Sequence, residues 1–245
     1  MLTESVVNLG SHLVAEQKLW SALVRFAREM NPWDWVLVGG QMVALHGYIA
    51  GAVPPRSTED IDIVANVLVR RNSLEACASA AEHINLRAKP PLHGRRLQRF
   101  EGDGVKLDLL VPDHLPSRMH LSLRGHSPVP IPGGQRALVR AHVVTVQVGE
   151  ETGVVSVPDL RGALVLKSRA AIADGRDSER HTSDIAFLCG LVEDPRQLAA
   201  ELDNSERRYL RRVALPNDSR AVPWVLLDAA RRDDALETWK RITAS

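Results

Sequence analysis

A glycine pair, Gly39-Gly40, and an acid pair, Asp60-Ile61-Asp62, stand at the two ends of one strand-helix-strand stretch, residues 36–65. Trp35-Val36-Leu37-Val38 reads as a buried strand, and beyond the glycines Met42, Val43, Leu45, His46 and Ile49 recur at helical spacing. The glycines therefore sit on a strand-to-helix turn. A turn without Cβ atoms brings backbone N–H groups close to an anion, and the positive end of the following helix favours negative charge there. The same pair also reads simply as a tight turn. In Asp60-Ile61-Asp62-Ile63, alternation puts Ile61 and Ile63 on one face of a strand and both acids on the other. Carboxylates held so close repel unless a cation stands between them, and hard divalent ions with oxygen ligands suit such a place. Alone, this is also the polar face of a half-exposed strand. Joined to the glycine turn, it points to phosphate and metal chemistry.

Three further polar residues stand in apolar settings. In the strand predicted over residues 105–111, Leu107, Leu109 and Val111 point one way and Lys106, Asp108 and Leu110 the other. Asp108 there needs a cation or hydrogen-bond donors, unless the strand is an edge and the acid faces solvent. In the helix predicted over residues 158–173, capped by Ser156 or Asp159, Lys167 interrupts the stripe Leu160, Leu164, Ala171, so it must snorkel or find an anion. In the next helix Asp184 faces inward with His181 and Leu188, and Arg180 or His181 offers it a partner.

The spacing also predicts helices over residues 13–30, 73–84 (capped by Asn72 or Ser73), 196–204, 205–215 and 222–242. Strands are expected at 85–88 and 96–100, with a hairpin joining 143–148 to 154–157 through a five-residue turn. Residues 112–132, rich in proline and histidine, read as a surface connector. Arg207, Arg208, Arg211 and Arg212 form a basic helical face around Tyr209, either solvated or suited to RNA phosphates.

The glycine pair, the helix and the Arg-Ser-Thr-x-Asp-Ile-Asp strand together resemble the DNA polymerase β-type nucleotidyltransferase superfamily. The long interval from Gly40 to Asp60, with Arg56 ahead of the acids, is similar to its AbiEii branch, the nucleotidyltransferase toxins of type IV toxin–antitoxin systems. Commoner members have a shorter gap and a serine at the second glycine, a departure that sets this chain apart from ordinary aminoglycoside adenylyltransferases. The resemblance covers residues 33–190. It implies that Asp60 and Asp62 hold Mg²⁺ or Mn²⁺, and that Asp108 is the third acid. It also implies that Gly39, Gly40, Arg56, Ser57 and Lys167 bind the nucleotide, and that Asp184 has a supporting catalytic or positioning role.

The fold expected is α/β (α+β), a small mixed-sheet nucleotidyltransferase domain over residues 1–157 followed by a helical domain over 158–245 that frames the acceptor. The family resemblance implies an NTP substrate, an RNA acceptor, notably the 3′ end of tRNA, and a cognate antitoxin. The alternatives are transfer to a small molecule or a protein, and a non-catalytic nucleotide-binding regulator. A net charge of +1 excludes a uniformly basic nucleic-acid binder but leaves local patches open. Cys77 and Cys189 lack metal-ligand spacing and read as buried hydrophobes. No apolar run is long enough to span a membrane and no secretory leader is legible, so a cytoplasmic protein is expected.

Overall fold

The computed structural model describes residues 6–9, 14–90, 96–175 and 178–244, which form a mixed α/β protein divided into two compact units. Leu13, the first residue of the first predicted helix, lies outside the described residues. One unit is Met1–Met42 with Ser57–Pro158, the other Val43–Arg56 with Asp159–Ser245. The stretch 43–56, which sequence order alone places in the first domain, thus belongs to the second unit.

The first unit carries β1 (Val6–Asn8), α1 (Val14–Glu29), β2 (Trp35–Val38), the start of α2 (Gly39–Ile49), β3 (Ile61–Ala65) and α3 (Ser73–His83). It continues with β4 (Arg87–Ala88), β5 (Arg96–Leu97), β6 (Arg99–Gly102), β7 (Val105–Pro112), β8 (Ser127–Ile131), α4 (Gly134–Val139), β9 (Ala141–Val148) and β10 (Glu151–Pro158). Seven strands make the main sheet, in the order β2-β3-β7-β6-β4, with β8 on the far half of β7 and β5 on β8. β3 and β7 run parallel, while β2 and β6 are antiparallel to their neighbours. A second sheet, β1-β9-β10, packs under α1. The apolar side of α1 is buried there, with the Phe26 ring set edge-on to Trp35 at 5.2 Å and both rings excluded from solvent.

Several expectations need correction. The surface connector contains β8, which Ser127–Ile131 forms by pairing in parallel with the end of β7. Its two prolines lack N–H donors, and that hid the strand in the sequence. The hairpin turn is two residues, Gly149-Glu150, because Glu151 already pairs with Val148. Asn72 caps α3 by position only, without a side-chain hydrogen bond.

The second unit is helical. α5 (Leu160–Ala173) is capped by the Asp159 carboxylate, which accepts from Gly162 N–H at 2.7 Å. α6 (Ser178–Cys189), α7 (Pro195–Glu201), α8 (Asn204–Arg212), α9 (Val222–Val225) and α10 (Ala229–Thr243) follow. The helix expected over 222–242 is two, parted at Asp228, whose side chain caps α10 through Arg231 N–H. Glu206 is 1 % exposed, completes a capping box with Asp203 and accepts from Arg161 Nε at 2.9 Å, tying α8 to α5. Cys77 and Cys189 are free and buried, and burial pushes both thiols up. Among the described residues no helix is long and apolar enough to cross a membrane.

Because Phe26 joins α1 to the edge of the main sheet, Phe26→Ala should lower the unfolding free energy by about 3–5 kcal/mol in chemical denaturation. A loss below about 1 kcal/mol would show that the helix is held elsewhere.

Candidate active site

Asp60 immediately precedes β3, Asp62 lies within it, and Asp108 lies in the middle of β7. The parallel register sets Asp62 directly opposite Asp108. Ile61 and Ile63 fill the core on the opposite face, as alternation requires. One oxygen from each of the three acids lies within 4.8 Å of the other two. Two unit charges at that separation repel by roughly 1 kcal/mol in bulk water, and by about 3.5 kcal/mol at an effective dielectric of 20. With Asp108 only 5 % exposed, solvent cannot absorb the whole of this, and a counter-charge is required.

Among the described residues Arg99 supplies such a charge. Its Nε donates to Asp108 Oδ1, its Nη2 donates to Asp108 Oδ2 at 2.8 Å, and the same Nη2 stands 3.5 Å from Asp60 Oδ2. Gln98 Nε2 donates to Asp108 Oδ2 at 3.0 Å. Asp108 is therefore neither an exposed edge residue nor unpaired. Reading the sequence by motif misses Arg99, yet a signal for it exists. Asp103-Gly104 is a two-residue hairpin loop with both φ angles positive, 51° and 76°, the Asp-Gly turn that joins paired strands most readily. Counting back from Gly102 opposite Val105 puts Arg99 opposite Asp108.

The glycine turn meets the acids through Gly39. Val38 faces Asp62 across the antiparallel β2–β3 pair, so the next residue turns over that carboxylate. Gly39 has φ +69°, and a Cβ there would lie 1.8 Å from Asp62 Oδ2. Both the backbone angle and the space demand glycine. Gly40 follows in the first turn of α2, where helical N–H groups have no partner within the helix. Ser57 is exposed, three residues ahead of Asp60.

Lys167, Asp184 and Arg56 form a separate cluster in the second unit. Lys167 Nζ lies 2.7 Å from Asp184 Oδ2, and Arg56 donates to both oxygens, from Nε at 3.1 Å and Nη2 at 2.8 Å. The lysine does not snorkel: its side chain is 4 % exposed and that of Asp184 1 %. Asp184 takes Lys167 and Arg56 as partners rather than Arg180 or His181. Burial alone would raise its carboxyl, but the two cations outweigh burial and hold it below the usual carboxylate range. Burial, and then the Lys167 charge, push the His181 imidazole below its ordinary value.

The arginine face on α8 is smaller than expected. Arg207 donates to the Ala199 carbonyl, and Arg211 to those of Thr243 and Ala244, closing the ends of α7 and α10. Arg208 and Arg212, one turn apart, are exposed, and Arg169 stacks over Tyr209 at 4.4 Å.

A mixed sheet that gathers three acids from adjacent strands beside a glycine turn at a helix start is the frame of a nucleotidyltransferase. Residues 21–245 match the family model of the nucleotidyl transferase AbiEii toxins of type IV toxin–antitoxin systems, and the chain belongs to that family. Among solved structures it is similar to an antigenic nucleotidyltransferase-like protein from Paracoccidioides brasiliensis, with a TM-score of 0.54 and 14% identity over 91% of this chain and 94% of the other. That likeness is one of fold. Comparison with curated protein sequences gives no match. Membership of the family makes the protein an enzyme with a nucleoside triphosphate substrate and an antitoxin partner.

The second-unit cluster sets a pH dependence. His181 is held below the ordinary imidazole value of about 6.5, so the unfolded chain binds the proton first and stability falls as pH drops from 7 to 5. The depressed Asp184 carboxyl contributes stability above about pH 4, lost as pH falls further through its lower folded value. In thermal denaturation across pH, His181→Gln should flatten the limb from pH 7 to 5 and leave the acidic limb in place. An unchanged upper limb would remove His181 from the explanation.

Proposed function

We propose that the protein transfers a nucleoside monophosphate from an NTP to an acceptor hydroxyl, with the 3′ end of tRNA as acceptor. The observation that carries this reading is the meeting of Asp60, Asp62 and Asp108 within 4.8 Å beneath the Gly39 turn. Oxygen-only donors, two half-buried and one buried, suit a hard divalent ion, Mg²⁺ or Mn²⁺, and these three carboxylates would hold it. When bound, such an ion neutralises charge that grows on the triphosphate during transfer.

The chain's own residues bind and orient. The N–H groups at the start of α2, which have no partner within the helix, receive phosphate oxygens past Gly39 and Gly40. Ser57 adds a hydroxyl beside the acids in sequence. Lys167 binds nucleotide phosphate, with Asp184, itself held by Arg56, fixing its ammonium. The acceptor hydroxyl oxygen attacks the α-phosphorus, one P–O bond forms, the bond to the β-phosphate bridge breaks, and pyrophosphate leaves while the hydroxyl proton passes to water. Catalysis rests on placement and charge, so its loss should be steep when one of these groups goes. The exposed pair Arg208 and Arg212 supports an RNA acceptor, as cations one turn apart can follow a phosphate backbone.

Purified protein incubated with Mg²⁺, each α-labelled NTP in turn and total tRNA should label tRNA with at least one nucleotide. Asp60→Ala with Asp62→Ala should abolish labelling, and Gly39→Ala should cut it by about a hundredfold or more through displacement of Asp62. Label appearing in a small molecule or in protein instead would move the acceptor to that class. Labelling that survives loss of both acids would overturn the proposed site.

A further inference from the structure

Arg99 stands beside the three acids on their own sheet, bonded to Asp108 and 3.5 Å from Asp60. It occupies both oxygens of Asp108, and Gln98 takes a further position on Oδ2. A carboxylate offers about four lone-pair sites, so three hydrogen bonds leave little room for another ligand. The guanidinium also reaches toward Asp60 at 3.5 Å. On its other side Arg99 Nη1 lies 4.0 Å from Glu101 Oε1, and Glu101 is two residues along the same strand face. Glu101 is held in turn by Lys89 Nζ at 2.7 Å. The Arg99 side chain is 28 % exposed, so it has both an alternative acid and the freedom to reach it.

We propose that Arg99 is the resident cation of the acid cluster: in the metal-free protein it pairs with Asp108 and partly offsets the charge of Asp60, and a divalent ion takes those carboxylates only as Arg99 swings toward Glu101. The inference rests on the reading that the three acids hold a divalent ion. Its logic is competition for the same lone pairs together with repulsion between like charges. The arginine keeps the acids assembled without metal, and it lowers metal affinity in doing so. Metal occupancy then becomes sensitive to anything that draws Arg99 away from Asp108, an incoming triphosphate included.

The test is Mn²⁺ titration of the full chain by isothermal calorimetry, with metal-free thermal denaturation alongside, for wild type, Arg99→Gln, Arg99→Lys and the Asp60→Ala, Asp62→Ala double variant. Arg99→Gln should bind Mn²⁺ about tenfold tighter, as removal of a unit positive charge close to a divalent ion implies. It should also melt below wild type without metal and recover when Mn²⁺ is added. Arg99→Lys keeps the charge but loses the two-pronged grip, and should bind severalfold tighter than wild type; it serves alone if Arg99→Gln does not fold. Equal or weaker Mn²⁺ binding in the folded Arg99 variants, with wild-type binding abolished by loss of Asp60 and Asp62, would sink the Arg99 inference and leave the metal reading standing. Mn²⁺ binding that is absent from wild type and from both Arg99 variants, or that survives loss of the two acids, would overturn the metal reading and the inference with it.

Discussion

Mutual repulsion among three carboxylates is the constraint that orders the first unit. Asp60, Asp62 and Asp108 are brought within 4.8 Å by strand register, an arrangement that costs energy unless positive charge is supplied. Each neighbouring element answers that cost or makes the close approach possible. β6 delivers Arg99 across an antiparallel pair, β2 brings a residue without a Cβ over Asp62, and Ile61 and Ile63 bury the other face of β3 so that the acids cannot rotate inward. The fold is thus built around a charge problem that Arg99 answers in part and that the proposed divalent ion would complete. That is the economy of a nucleotidyltransferase, in which chemistry is performed largely by holding charges in place.

The second unit repeats the theme with a different balance. One buried acid, Asp184, is shared by two cations, Lys167 and Arg56, so that the cluster carries net positive charge. A buried pair of this kind adds little net stability, whereas loss of one partner is severe. Its value lies in fixing an ammonium group that would otherwise move freely. For a lysine proposed to meet phosphate, such fixing removes the entropy that a mobile side chain would lose on binding.

Much of this was legible in the sequence wherever one local rule decided the outcome. Period-two alternation placed both acids of Asp60-Ile61-Asp62 on one face, helical spacing put Asp184 inside and set Lys167 in an apolar stripe where it must snorkel or find an anion, and the Gly39-Gly40 pair marked a strand-to-helix turn. What escaped depends on pairing between segments. Arg99 lies nine positions before Asp108, and its role follows only from the register set by the Asp103-Gly104 turn. The partners of Asp184 were misjudged because Arg180 and His181 are near in sequence, while Arg56 lies 128 residues away. β8 was hidden by its prolines, and the arginines of α8 looked like one basic face because sequence does not show that two of them close other helices.

The decisive measurement is a crystal structure of the full chain grown with Mn²⁺ and a non-hydrolysable NTP analogue, with data collected at the manganese absorption edge. Anomalous density between Asp60, Asp62 and Asp108, with triphosphate oxygens at the start of α2, would establish that the three acids form the metal centre. Density for the analogue elsewhere, or no anomalous signal at these acids under saturating Mn²⁺, would contradict it.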